Sequence, residues 1–394
     1  MDAINYRMHG DELVISLFGR ITAANSAEIE AGIDAALQEC PCAKVVLDLD
    51  GLTYISSAGL RVFLRLGKRV EQLRIENAGP VPYDVLEMTG FSEMFEVTKA
   101  YRRISTDGLE VIGRGAKGAV YRIDDETIVK VSFDETEGTI EQIDRERKLA
   151  RSAFVAGIPT AISYDVVRVG NGYGAVYELL NAFTLNKMLR MGIWSYDEAA
   201  DAAAELLAQM HDTHMGNAEM PSSRGIQLKE LPLLEGKIPE ALYSRIMELV
   251  GALPDDDRLI HGDFHIGNVM VQNGELLLID MDTLSKGSPV LELGPIYNAY
   301  VGFGEIDHAI TEDFQGLPYD EMADFWNMLI ERYSAIRGLD AQEVLFKGEA
   351  MGRIRQVRRI FSHNDQDTPH GRAVLELNIP KLEQMLAQID TLEY

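Results

Sequence analysis

Apolar and polar positions divide the chain into two differently patterned stretches. In the first, "ELVISLFGRIT" alternates and predicts a strand, with "HGDE" before it as a turn. "NSAEIEAGIDAAL" follows, with Ile29, Ile33, Ala36 and Leu37 at helical spacing and Asn25 and Glu28 in the form of a capping box. "KVVLDL" is a short, continuously apolar run ending in Asp48, which suits an interior strand covered by helices on at least one face. A second helix is predicted from about Ser57 to Leu73, and then "LRIENA" as a strand. "PYDVLEMTGFSEMF" gives a third helix broken near Gly90, and "EVTKA" closes the unit. The sum is a small mixed sheet with helices, large enough for a core of its own.

"YRRISTDG" at 101–108 is polar and separates the two patterns, so the boundary is placed near residue 105. This gives a first domain over 1–104 and a second over 105–394. The second divides into an N-lobe of about 108–180 and a helical C-lobe of about 181–394.

The second domain opens with "VIGRGAKGAVYRI". Gly113, Gly115 and Gly118 form G-x-G-x-x-G, followed by Val120. A dinucleotide fingerprint of this spacing leads into a helix. Here "AVYRI", "DDE" and "TIVKVSF" predict strand, turn and strand, which fits a Gly-rich hairpin over nucleotide phosphates. Lys130 lies in the second strand, where a phosphate-contacting lysine is expected. Glu146 on the next helix is positioned to pair with it, with Glu141 as a weaker rival. "GAVYELL" predicts a strand ending near Glu178–Leu180, whose backbone groups suit an adenine edge. Ser195 and Glu198 form a second capping-box pattern, opening "YDEAADAAAELLAQMHDTH".

"LIHGDFHIGNVMVQNGELLLIDMD" carries the strongest signal. Asp263 and Asn268 have the Asp-x-x-x-x-Asn spacing of a kinase catalytic loop. Asn273-Gly274 between two apolar runs predicts a type I′ hairpin. A two-residue turn sets Gln272 opposite Glu275 and Asn268 beside Ile279 and Asp280. Facing strands lie about 5 Å apart, close enough for Asn268 and Asp280 to hold Mg2+ on ATP. Asp263 could then accept a hydroxyl proton. His261 and His265 are expected to hold the loop by hydrogen bonds, while Asp282 is expected either to ligate the metal or to support its ligands. Further on, "EAMGRIRQVRRIF" places Ile354, Val357 and Phe361 at helical spacing, and Arg355, Arg358 and Arg359 are expected on a solvated basic face.

Two resemblances emerge from these residues. "VVLDLDGLTYISSAGLRVFL" with the later "VLEMTGFSEMF" resembles the STAS domains of anti-sigma-factor antagonists over residues 1 to 104. That resemblance implies that Ser57 stands at a position phosphorylated by a partner kinase, which blocks binding to that partner. Ser56 replaces an acidic residue frequent there, and Ala58 a frequent Ser or Thr. On physical grounds the serines can equally cap the helix, since its unpaired amides can donate to either a serine oxygen or a phosphate. Gly59 would let the backbone pass close to a neighbour or a partner.

The second domain resembles the aminoglycoside phosphotransferase and choline-kinase-like family, which has the protein-kinase-like fold. "HGDFHIGN" looks like its catalytic loop; "LIDMD" replaces its usual Ile-Asp-Phe-Gly; "GSPVLELG" places Glu292 where an acidic structural residue is common. The resemblance implies Asp263 as catalytic base and Asn268 and Asp280 as metal ligands. It implies Lys130, Glu146 and the glycine loop as nucleotide-binding groups.

Composition narrows the setting. A length of 394 residues allows two or three domains, and the formal charge of −26 argues against nucleic acid and anionic membrane as partners. A cationic substrate is compatible with this acidity but not implied by it. Cys40 and Cys42 flank Pro41, poor disulfide and zinc geometry, and suit free thiols in a reducing cytosol. The N-terminal segment lacks the pattern of a signal peptide, and no apolar run approaches a membrane span. A bacterial cytoplasmic protein is expected.

Three functions stay open. The first is an ATP- and Mg2+-dependent phosphotransferase acting on a small hydroxyl- or amine-bearing substrate, an alcohol group foremost, with the STAS domain regulating it or docking a protein partner. The second is a signalling protein whose kinase-like lobe phosphorylates a serine such as Ser57. The third is a lobe that senses nucleotide without catalysis. The absence of an Ala-Pro-Glu activation segment after Asp280 counts against the second.

Overall fold

A computed structural model describes residues 3–114, 118–133, 138–180, 182–216 and 218–394. The chain forms two compact units, Met1–Ser105 with Val167–Asn171, and Thr106–Val166 with Gly172–Tyr394.

In the first unit the elements are β1 (Ile4–His9), β2 (Glu12–Ile21), α1 (Ser26–Glu39), β3 (Lys44–Ile55), α2 (Ser57–Gly67), β4 (Gln72–Ala78), α3 (Pro80–Met88), α4 (Phe91–Met94) and β5 (Glu96–Lys99). The sheet order is β1-β2-β3-β4-β5, antiparallel at β1–β2 and parallel thereafter. β3 is therefore an interior strand, and alternate residues of β2 (Leu13, Ile15, Leu17) enter a core with Leu47, Phe63 and Ile75. β3 runs six residues beyond the "KVVLDL" run that announced it, because its pairing with β2 continues through two register shifts to Ile21↔Ile55.

Two local expectations are corrected. The side chain of Asn25 makes no cap bond to α1; its Oδ1 accepts from Thr22 N at 2.7 Å and its Nδ2 donates to Arg20 O. The second helix ends at Gly67, and Leu73 belongs to β4. Its N-cap is Ser56, whose Oγ accepts from Gly59 N at 3.5 Å. Ser57 is the first helical residue and is exposed. Gly59 is needed for a neighbour inside the unit: a Cβ there would lie 2.6 Å from Ile21 Cγ2 and 2.8 Å from Ile55 Cγ1.

The short β6 (Arg102–Ile104) follows. The chain then continues with β7 (Val111–Arg114), β8 (Gly118–Arg122), β9 (Thr127–Ser132), α5 (Gly138–Val155), β10 (Ser163–Val169, whose last three residues group with the first unit) and β11 (Gly172–Glu178). The order β11-β9-β8-β7 places β9 between two partners, and its Lys130 pairs with Val120 on one side and Ala175 on the other.

The rest is mainly helical: β12 (Phe183–Thr184), α6 (Leu185–Arg190), α7 (Tyr196–Asp212), α8 (Ser223–Glu230), α9 (Glu240–Gly251), β13 (Leu259–Ile260), β14 (Val269–Gln272), β15 (Glu275–Leu278), β16 (Ser285–Lys286), α10 (Val290–Tyr300), α11 (His308–Gln315), α12 (Tyr319–Arg337), α13 (Ala341–Ser362) and α14 (Pro369–Leu386). Ser195 and Glu198 do form the reciprocal capping box that starts α7. Helix α10 is buried along its whole length and packs on α13 and α12. Among the described residues, no helix is long and apolar enough to cross a membrane.

Candidate active site

The site in the second unit is built around the β14–β15 hairpin. Asn273 and Gly274 both have positive φ, +53° and +87°, as a type I′ turn requires. The register follows: Gln272 faces Glu275, Val269 faces Leu278, and Ile279 N donates to Asn268 O at 3.0 Å. Asp280 follows directly, in the left-handed region at φ +62°, a conformation Asp tolerates better than most residues. Met281 is buried in the C-lobe core, filling the position where the resemblance leads one to expect Phe.

The loop before the hairpin is held from beneath. Glu292, fully buried on α10, accepts from His261 N and from Gly262 N at 2.9 and 3.1 Å. Burial pushes the Glu292 carboxyl pKa up, and His261 and the loop amides oppose that shift without cancelling it. His261 Nδ1 accepts from Asp263 N at 3.3 Å and its Nε2 lies 3.2 Å from Ile279 O, tying the loop to the hairpin. His265 Nδ1 accepts from Gly267 N at 3.0 Å, and the ring packs against Phe314. Burial pushes the His265 pKa down to about 4, which keeps the imidazole neutral at neutral pH. Both histidines hold the loop, as expected of them.

Asp263 emerges from this scaffold with its side chain 42% exposed. Asn268 Nδ2 donates to Asp263 O at 3.0 Å and reaches Asp263 Oδ2 at 3.5 Å. With its amide nitrogen so engaged, Asn268 leaves Oδ1 without a donor among the described residues.

Across the lobe, Lys130 Nζ lies 2.6 Å from Asp280 Oδ1 and 3.4 Å from Glu146 Oε1. Burial alone would push the Lys130 pKa down; Glu146, Asp280 and Asp282 outweigh it and the net shift is upward. The ammonium is thus firmly charged. Glu141 is exposed, so the partner on α5 is Glu146. Sequence reasoning missed Tyr177, whose hydroxyl donates to Glu146 Oε1 at 3.2 Å and fixes the carboxylate from β11.

The remaining expectations fall as follows. Gly113 pairs with Val120 across β7–β8. A Cβ on Gly118 would stand 2.3 Å from Val131 O, so only glycine fits there. Gly115 lies outside the described residues. Glu178 ends β11 with its side chain exposed, Leu180 is two residues on, and Leu179 N between them donates to Glu126 O at 2.7 Å.

The expected solvated basic face of α13 is corrected. Arg355 is half-buried with its Nη1 3.5 Å from Gly262 O, and Arg358 is half-buried and paired with Glu230. Arg359 alone is exposed, its guanidinium over the Phe303 ring.

Comparison with known proteins places this arrangement. The model of the phosphotransferase enzyme family matches residues 108–334, and that of the STAS domain residues 3–106. The chain belongs to the phosphotransferase enzyme family. The chain is 37% identical over 92 residues to BtrV of Bordetella bronchiseptica, named as an anti-sigma factor antagonist, covering 22% of this chain and 78% of that protein. Among solved structures it is similar to ADP-bound aminoglycoside phosphotransferase APH(2'')-Ib, at 14% identity and TM-score 0.49, covering 77% of this chain and 98% of that one. It is also similar to a choline/ethanolamine kinase family protein from Mesorhizobium loti, at 16% identity and TM-score 0.44, covering 71% and 91%.

Proposed function

We propose that this protein is an ATP- and magnesium-dependent phosphotransferase for a small hydroxyl- or amine-bearing acceptor, with its STAS domain serving regulation or docking. The observation that carries the reading is the convergence of Lys130, Glu146 and Asp280 at one end of the hairpin whose preceding loop carries Asp263 and Asn268.

The donor set suits magnesium. Asn268 Oδ1 and the Asp280 carboxylate are hard oxygen ligands on neighbouring positions, and Mg2+ needs few protein oxygens beside phosphate and water. When bound, it supplies charge neutralisation at the β- and γ-phosphates. Lys130, oriented by Glu146, binds phosphate oxygens, and the glycine hairpin of Gly113 and Gly118, with Val120, covers them. Backbone groups at Glu178–Leu180 take the adenine edge. Asp263 accepts the proton as an acceptor hydroxyl oxygen bonds to the γ-phosphorus and the bond from that phosphorus to ADP breaks.

In the STAS domain the cap is made by Ser56, which leaves the exposed Ser57 hydroxyl at the first turn of α2. This supports Ser57 as part of a protein-docking surface that a separate kinase can switch, since phosphate at a helix N-terminus is stabilised and replaces a neutral surface with a nearly dianionic one.

Nucleotide binding tests the reading directly. Mg-ATP at a hundredfold excess over its Kd should stabilise the protein by about 2.7 kcal/mol. Asp280→Ala should remove the magnesium dependence of that shift. No stabilisation by any nucleotide contradicts the proposal.

A further inference from the structure

Helix α13 carries four arginines within seven residues, and their partners differ. Arg353 is buried against Glu305 and Glu349. Arg358 pairs with Glu230. Arg355 and Arg359 form ion pairs with no carboxylate among the described residues. These two are four apart and so share a face of the helix.

That face meets the catalytic loop. Arg355 Nη1 lies 3.5 Å from the carbonyl oxygen of Gly262, the residue before Asp263. Asp263 and Glu292 are the carboxylates whose fields reach Arg355, yet neither pairs with it, and Glu292 is already committed to the amides of His261 and Gly262. Burial disfavours the Arg355 charge more than those two carboxylates restore it. A half-buried guanidinium left unpaired in a chain with 63 acidic and 37 basic residues is costly. That cost is offset once a ligand brings the counter-ion.

We infer that Arg355, assisted by Arg359, binds an anionic group on the acceptor, a carboxylate or a phosphate, while the acceptor hydroxyl is held at Asp263. This rests on the phosphotransferase reading and narrows its substrate class. A guanidinium presents paired donors that match either anion in a two-point contact. The ring of Phe303 beneath Arg359 holds the second guanidinium in place. Because Arg355 reaches the residue directly before the base, the anion and the hydroxyl sit only a few bonds apart, so the acceptor is a small hydroxy acid or a phosphorylated alcohol. The transfer is unchanged: the hydroxyl oxygen bonds to the γ-phosphorus, ADP departs, and the proton goes to Asp263. The anion takes no part beyond binding.

The test compares ADP release from Mg-ATP with four probes of one size class: glycerol, choline, D-glycerate and glycerol 3-phosphate. Acetate and inorganic phosphate are titrated separately into the Mg-ADP-loaded protein, with melting temperature as readout. Turnover should favour the anionic probes, and D-glycerate against glycerol 3-phosphate tells carboxylate from phosphate. At least one of the two small anions should bind saturably. Arg355→Ala should weaken that binding and raise the acceptor KM by about ten- to a hundredfold, with Arg355→Lys recovering part of it. The ATP KM is the control for a merely structural role, which would move it as much as the acceptor KM. Preference for choline or glycerol, absence of saturable binding by both small anions, or an equal rise in both KM values overturns the inference. Anion binding without any nucleotide binding would instead overturn the phosphotransferase reading alone.

Discussion

Lys130 and Asp280 are joined at 2.6 Å between positions 150 residues apart in the chain. Without nucleotide, each therefore satisfies the other's charge, and an incoming phosphate must take the lysine from the aspartate. Lys130→Met should lower kcat/KM for ATP by about two to three orders of magnitude, the range seen on removing one charge-stabilising donor. The fold should survive, because both side chains are more than two-fifths exposed and solvent can take the partner's place. Steady-state ADP release beside a circular dichroism melt checks this; retained turnover would show that Lys130 does not touch the phosphates.

The two serines at the start of α2 separate a cap from a surface. Ser56→Ala removes the cap oxygen and should cost the first unit about 0.5–1 kcal/mol, the low end for a cap whose bond is long. Ser57→Ala should change stability by less than about 0.5 kcal/mol. Urea unfolding of the full chain, followed by amide exchange in the first unit, distinguishes them. Equal losses would contradict the assignment.

Parts of this were legible in the sequence, and the reason is range. The Asn273-Gly274 turn, the Asp263–Asn268 spacing and the Ser195–Glu198 box are contained in a few residues each, so local rules reach them. The end of α2 was not legible, because Leu66, Val70 and Leu73 keep helical spacing across the turn into β4. β1 escaped notice because, as an edge strand, most of its residues are exposed and it carries little apolar alternation. The half-buried place of Arg355 is not legible locally, because Gly262, which it touches, lies 93 residues away. Tyr177 and Glu146, 31 residues apart, met through packing and not through any spacing.

The glycine loop offers a steric test. Gly118→Ala sets a Cβ 2.3 Å from Val131 O and should cost about 1–3 kcal/mol through a displaced β8–β9 pairing. Gly113→Ala meets only Val120 at 3.7 Å, an ordinary contact. Its melting temperature should stay close to wild type, and equal destabilisation by both would contradict the registered hairpin.

His211 sets a pH dependence. It is fully buried on α7 with Nδ1 2.7 Å from the Tyr333 hydroxyl, and burial first, then Arg337 and Arg258, hold its pKa well below the usual 6.5. Below pH 6.5 the unfolded chain gains a proton that the native state refuses. Stability should therefore fall on acidification, by up to about 1.4 kcal/mol per pH unit for this one group. Urea midpoints at pH 7 and pH 5.5 should show the loss in the wild type and a flatter slope in His211→Gln. An unchanged slope would mean that His211 titrates normally.

The central claim is that the kinase-like unit transfers phosphate to a small acceptor and not to its own chain. It is tested most directly by incubating the purified 394-residue protein with Mg-ATP, with and without an acceptor panel, while following ADP release and intact mass together, with Asp263→Ala as control. The account predicts acceptor-dependent ADP release, no gain in protein mass, and loss of turnover by about two to four orders of magnitude in the variant. A mass gain at Ser57 that disappears in Asp263→Ala would contradict it and make the chain its own substrate.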